Sequence, residues 1–95
     1  MGLLGFVIAR VRGASMEPGL PDGSFALFRR RKAVKRGDVI LVDHPEFGLI
    51  VKRVHVVSRS GLFHLEGTGK LSTDRSRLGG VERDRIKGKL LFKIL

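Results

Sequence analysis

The run Leu49-Ile50-Val51-Lys52-Arg53-Val54-His55-Val56-Val57 holds five β-branched residues in nine positions and neither glycine nor proline, which is the composition of a strand. Period-2 alternation puts Lys52 on one face with Ile50, Val54 and Val56, and Arg53 and His55 on the other with Leu49, Val51 and Val57. The flanking sequence repeats this pattern of short apolar runs cut by turn residues. Upstream, a turn at 45–48 joins the run to a strand at 39–43, and further strands fall at 25–28 and at 6–11, where Gly13 closes the run. Downstream, the Ser60-Gly61 turn leads to a strand at 62–66, and residues 86–95 make a last strand broken at Gly88. Two long loops remain: 13–24, with two prolines and Asp22-Gly23, and 67–80, rich in glycine and serine. No amphipathic helix of ten residues is present. The expectation is all-β: a small, partly closed antiparallel barrel of short strands with long loops, residues 1–95 forming one domain.

A chain of 95 residues has material for one core. The absence of cysteine excludes disulfides, cysteine zinc sites and thiol catalysis together. Its longest apolar stretch, residues 3–9 interrupted by Gly5, is far short of the roughly 20 residues that span a bilayer, and no cleavable signal follows it. The expected location is cytoplasmic, with peripheral contact at a membrane surface. Net charge is +10, and six of the positive charges crowd the connector 29–36: Arg29, Arg30, Arg31, Lys32, Lys35 and Arg36. Such a block binds polyanions non-specifically, or docks on anionic lipid, whatever else the domain does. A nucleic-acid-binding β-barrel is therefore one reading. Against it, the chain has no Tyr or Trp to stack on bases, and most of its six Phe fall at strand positions expected to be core.

Two segments carry chemistry. Gly13-Ala14-Ser15-Met16-Glu17-Pro18-Gly19-Leu20 places a hydroxyl in a loop at a strand end, where a rigid scaffold can present it to a ligand. On spacing alone Ser15 reads as a turn serine, and Glu17 stands where a nucleophile elbow needs its second glycine. Lys52 is the second. An unperturbed lysine, with pKa about 10.4, is neutral for only about 0.04% of molecules at pH 7. Aliphatic surroundings disfavour the ammonium, lower the pKa and make the amine a general base. The alternative is a gatekeeper lysine on a strand edge. Histidine chemistry has less behind it: His44 and His64 pair at i, i+2 with Glu46 and Glu66, but no H-x-x-x-H or cysteine completes a metal site. Gly67-Thr68-Gly69-Lys70 is no phosphate loop, because His64 occupies the position of the first glycine.

Taken together, Ser15-Met16-x-Pro18-x-Leu20, then Gly37-Asp38-Val39-Ile40-Leu41-Val42 and Val51-Lys52-Arg53-Val54, resemble the type I signal peptidases and their relatives, serine proteases with a Ser/Lys dyad. A third piece, Ser72-Thr73-Asp74 with Gly79, Val81, Ile86 and Gly88-Lys89, is similar to the late segments of that family, though Arg75-Ser76-Arg77 and Thr68-Gly69-Lys70 depart from its pattern. The resemblance implies a serine endopeptidase without metal or cofactor that removes an N-terminal leader or signal-like segment from a protein substrate. It makes Ser15 the nucleophile and Lys52 its base, with Ser72 orienting the lysine and Asp74 bracing the loop. Gly13, Ala14 and Met16 would support the loop and the oxyanion hole, which needs the Ser15 N–H and a second backbone N–H or a water. Without an N-terminal anchor, the chain resembles the short soluble branch, some of whose members are similar to nickel-type superoxide dismutase maturation proteases. The self-cleaving repressors of the SOS response share Ser-Met-x-Pro and Val-Lys-Arg; residues 72–81 favour the signal-peptidase side.

Overall fold

The computed structural model describes residues 2–68 and 78–95. Its strands are β1 (Gly2–Leu3), β2 (Phe6–Arg10), β3 (Phe25–Arg29), β4 (Val39–His44), β5 (Gly48–Val57), β6 (Phe63–Glu66), β7 (Gly80–Val81) and β8 (Ile86–Lys93), with one 3₁₀ turn at Arg83–Arg85. All pair antiparallel in a single sheet, in the order β1-β2-β3-β8-β4-β5-β6-β7, which curls into a half-barrel. The all-β expectation holds. Sequence reading placed the main strands within a residue or two and passed over the two-residue strands β1 and β7, which are too short to carry an alternating pattern.

β8 lies between β3 and β4, although both precede it by many residues. Gly88 was expected to break this strand, yet the strand runs through it. A Cβ at Gly88 would sit 2.7 Å from the Cβ of Phe28, so the missing side chain is what lets β8 lie flat against β3. The phenylalanine fills the space and is fully buried.

β4 is covered on both faces, and Ile40, Leu41 and Val42 are each 2% exposed or less. This accounts for its unbroken apolar run. Leu41 packs with Val11, Met16, Leu20, Ala26, Phe28 and Val51. Ile40 and Val42 face the other way, into Val54, Phe63, Leu65, Leu78 and Val81. β5 follows the same division, with Val51 in the first cluster and Val54 in the second.

Two further features differ from the sequence reading. A β-bulge in the β5–β6 pairing inserts His55, so Val54 opposes Leu65 but Val56 opposes His64. The alternation is thereby shifted, and Val56 leaves the Lys52 face and is 43% exposed. The phenylalanines also divide unexpectedly: Phe28 and Phe63 are core, whereas Phe25 and Phe92 are exposed.

Candidate active site

The loop between β2 and β3 is held at both ends and in the middle. Val11 N–H donates to Ser24 O, and Gly23 N–H donates to Val11 O, each at 2.7 Å, closing the neck. Inside it, Gly13 N–H donates to Asp22 Oδ1 at 2.7 Å, a charge-assisted bond across the loop. Gly13 has φ +82 and open space where a Cβ would be, so its backbone angle is what calls for glycine. Two turns follow, Glu17 N–H to Ala14 O and Leu20 N–H to Met16 O, and the side chains of Met16 and Leu20 insert into the first core cluster. Ser15 is therefore flanked by a buried anchor one residue on and a carboxylate-clamped glycine two residues back.

Thr68 fastens the loop from outside. Its N–H donates to Ser15 O at 2.6 Å, and its hydroxyl donates to Glu17 O at 3.3 Å. Sequence reading assigned Thr68 no part here, since a threonine after a glycine carries no local mark of a contact some fifty residues away. Asp22 was legible as turn chemistry but not as the clamp on Gly13.

Lys52 comes from β5 and is 5% exposed. Its strand partner across the β4–β5 ladder is Ile40. Burial among aliphatic side chains disfavours the ammonium and pushes the lysine pKa below its ordinary value.

Ser15 and Lys52 line the same cleft, a cavity of about 660 Å³ whose walls also include Gly13, Ala14, Phe47 and Leu78. One wall is β2 and the other the first half of β5. β4 pairs with β5 along Gly48–Arg53 and β6 takes up its other side from Arg53 onward, so among the described residues no strand pairs with that other side over 48–52. Gly13 was expected among the loop and oxyanion supports; its N–H is already given to Asp22, which leaves it a part in shaping the loop. Ser72 and Asp74 lie outside the described residues.

His44 is a structural residue. It is 4% exposed, with Nδ1 accepting from the Glu46 and Phe47 N–H groups and Nε2–H donating to Leu78 O at 2.7 Å. Both ring nitrogens are thus committed, and the residues they hold include two from the cleft wall, Phe47 and Leu78. His55 faces Glu66 at 3.5 Å beside the Arg53–Glu66 ion pair at 2.8 Å. Of the basic connector, Arg29 stacks over Phe6 and Lys35 pairs with Asp38 at 3.6 Å, while Arg30, Arg31, Lys32 and Arg36 stay exposed.

A half-barrel that brings a loop serine and a desolvated lysine into one cleft has the parts of a Ser/Lys serine peptidase or self-cleaving domain. Residues 5–66 match the family model described as Peptidase S24-like, and the chain belongs to that family. The match supports the Ser/Lys peptidase superfamily as a whole rather than the signal peptidases in particular. It ends before residues 72–81, the segment on which the leaning toward signal peptidases rested. No curated protein and no solved structure matches the chain.

Proposed function

We propose that the chain is a serine endopeptidase in which Ser15 is the nucleophile and Lys52 the general base, acting on an extended segment laid along β5. The observation that carries this reading is the placement of both side chains on one cleft, with the lysine desolvated. The neutral Lys52 amine takes the Ser15 hydroxyl proton as Oγ attacks the peptide carbonyl carbon. The resulting oxyanion is held by backbone N–H groups of the Ser15 loop. When the C–N bond breaks, the lysine gives its proton to the departing amine, leaving an ester on Ser15. Water, deprotonated by the same amine, then attacks the ester and frees the carboxylate and the serine.

The uncovered side of β5 suits a substrate that binds as an added strand, since backbone hydrogen bonds there are independent of side-chain identity. A leader or signal-like segment, extended and accessible, has the form such a cleft accepts. The test is mass spectrometry of unstructured peptides incubated with the protein and with Ser15→Ala, alongside the intact mass of the chain itself. Cleavage by the parent and none by the variant supports the reading, and loss of mass from the chain alone would mean that it cuts itself. Equal cleavage by a folded Ser15→Ala variant would overturn it.

A further inference from the structure

The face of β2, β3 and β8 turned away from the first core cluster is largely apolar, and several of its side chains are exposed. Register places Phe6 opposite Arg29, Ile8 opposite Leu27, Arg10 opposite Phe25, and Leu27 opposite Phe92. Phe92 is 56% exposed, and Phe25, Leu91 and Ile94 each exceed 40%. The strands of this face carry only positive charge, and two carboxylates stand at its border: Asp38, paired with Lys89 at 3.3 Å, and Asp84, which shares a pocket with Arg29, Arg31 and Lys32. β1, β2, β3 and β8 contain no Asp or Glu. Two of their arginines lie on aromatic rings, Arg10 over Phe25 at 5.8 Å and Arg29 over Phe6 at 4.6 Å from the centroids.

At the edge of the same face the two-residue turn Leu4-Gly5 joins β1 to β2. Leu4 takes φ +39, a left-handed angle unusual for leucine, and its side chain is 97% exposed. The turn is tied to the basic connector by Arg30 N–H donating to Gly5 O at 2.7 Å. Leu4 consequently shares a surface cleft with Arg29, Arg30, Arg31, Lys32 and Leu91. A fully exposed leucine held in a left-handed turn among cations suits a surface where hydrocarbon and anions are met together.

We propose that this face docks on an anionic lipid bilayer, with Leu4 and Phe92 entering the acyl boundary and Arg29 to Lys32 at the level of the headgroups. The chemistry separates this occupant from others. A second copy would bring the same cations against these, on a chain of net charge +10. Nucleic acid would meet the arginines but leave Ile8, Leu91 and Ile94 in water. A bilayer buries the aliphatic side chains and neutralises the arginines, whose aliphatic stems lie along the sheet while their heads reach lipid phosphates. Ile8 and Arg10 belong both to this face and to the active-site cleft, so docking would bring the mouth of the cleft to the membrane surface.

The test is co-sedimentation with phosphatidylcholine vesicles with and without phosphatidylglycerol, and it reads binding rather than cleavage. Binding to the anionic vesicles is expected, reduced about tenfold or more by Leu4→Ser with Phe92→Ser, and by Arg30→Gln with Arg31→Gln and Lys32→Gln. A Leu4→Trp reporter should shift its emission to the blue on anionic vesicles and be quenched by brominated acyl chains. The proposal is overturned if the serine variants bind as the parent does and high salt removes all binding, for charge alone would then be at work. It is equally overturned if the parent ignores vesicles yet binds RNA or DNA at physiological salt, or if the serine substitutions convert a dimer to a monomer.

Discussion

Lys52 stands directly across the β4–β5 ladder from Ile40, a cation opposite a side chain that no solvent reaches. The pairing fixes which face the lysine occupies. Moved one position along the strand, it would lie among the neighbours of Val51, on the other side of the sheet. Exchanging the lysine for an apolar side chain of similar length removes the cost of burying a charge. Lys52→Met is therefore expected to raise the melting temperature at neutral pH while abolishing peptide cleavage, by analogy with other sites where function is held at the expense of stability. Thermal denaturation and a peptide-cleavage assay on the same preparation check both halves.

The direction of the Lys52 shift also sets two pH dependences. In the proposed mechanism activity rises as pH increases through an ionisation below the free-lysine value of about 10.4, since there the neutral amine takes the serine proton. Stability should rise with pH between the folded and unfolded lysine pKa values, because there the unfolded chain binds the proton that the folded chain has released. Lys52→Met should flatten that alkaline rise. A pH–rate profile of kcat/KM and urea melts across the same range measure them, and a profile following an ionisation near 6.5 would instead implicate a histidine.

Asp22 holds the Ser15 loop through Gly13. Asp22→Ala should cost about 1 kcal/mol of stability, as the bond is solvent-exposed, yet lower kcat by about tenfold or more through loosening of the Ser15 backbone. Parallel denaturant melts and steady-state kinetics separate the two effects. Asp22→Asn, which keeps an acceptor oxygen, should recover much of the rate.

His44→Ala removes a buried donor to Leu78 O and the acceptor for two N–H groups in the partly exposed β4–β5 turn. A loss of roughly 2–4 kcal/mol in urea denaturation is expected. Because Phe47 and Leu78 line the cleft, KM for peptide should rise in the folded fraction.

Gly88→Ala forces a Cβ to within 2.7 Å of Phe28 Cβ, a contact that one of the two paired strands must shift to relieve. Overpacking of this kind costs about 1–3 kcal/mol, measured as a lowered denaturation midpoint. Pairing it with Phe28→Gly, which removes the clashing Cβ, should give non-additive losses, whereas Phe28→Ala keeps that atom and should leave the clash in place.

Much of this architecture is written in local pattern. The β-branched run 49–57, the turn residues around it and the apolar stretch 39–43 specify strands because side-chain period and turn chemistry act within a few residues. Lys52 could be assigned to the dry face for the same reason. The bulge at His55 could not be read, because a bulge is a property of two strands in register and nothing in Val54-His55-Val56 marks it. Neither could the place of β8, which is decided by which strand edges remain open once the hairpins have formed. The exposure of Phe25 and Phe92 escaped reading too, because strand alternation names two faces without saying which is covered. Of the candidate site, Ser15 and Lys52 stand out by motif, whereas Thr68 and the clamp of Asp22 on Gly13 depend on the path of the chain in space.

The central position of β8 also orders the assembly of the molecule in time. Among the described residues, β1-β2-β3 and β4-β5-β6-β7 share no ladder with each other, and β8 is the seam between them. Ser15 belongs to the first half and Lys52 to the second. A growing chain can close each half as it is made, through nearby hairpins, and Thr68 and the packing of Leu41 and Val51 on Met16 can bring the halves together, but no ladder runs between them until β8 is made. Ser15 and Lys52 are thus carried on two pieces of sheet that a continuous ladder joins only when the last strand is in place.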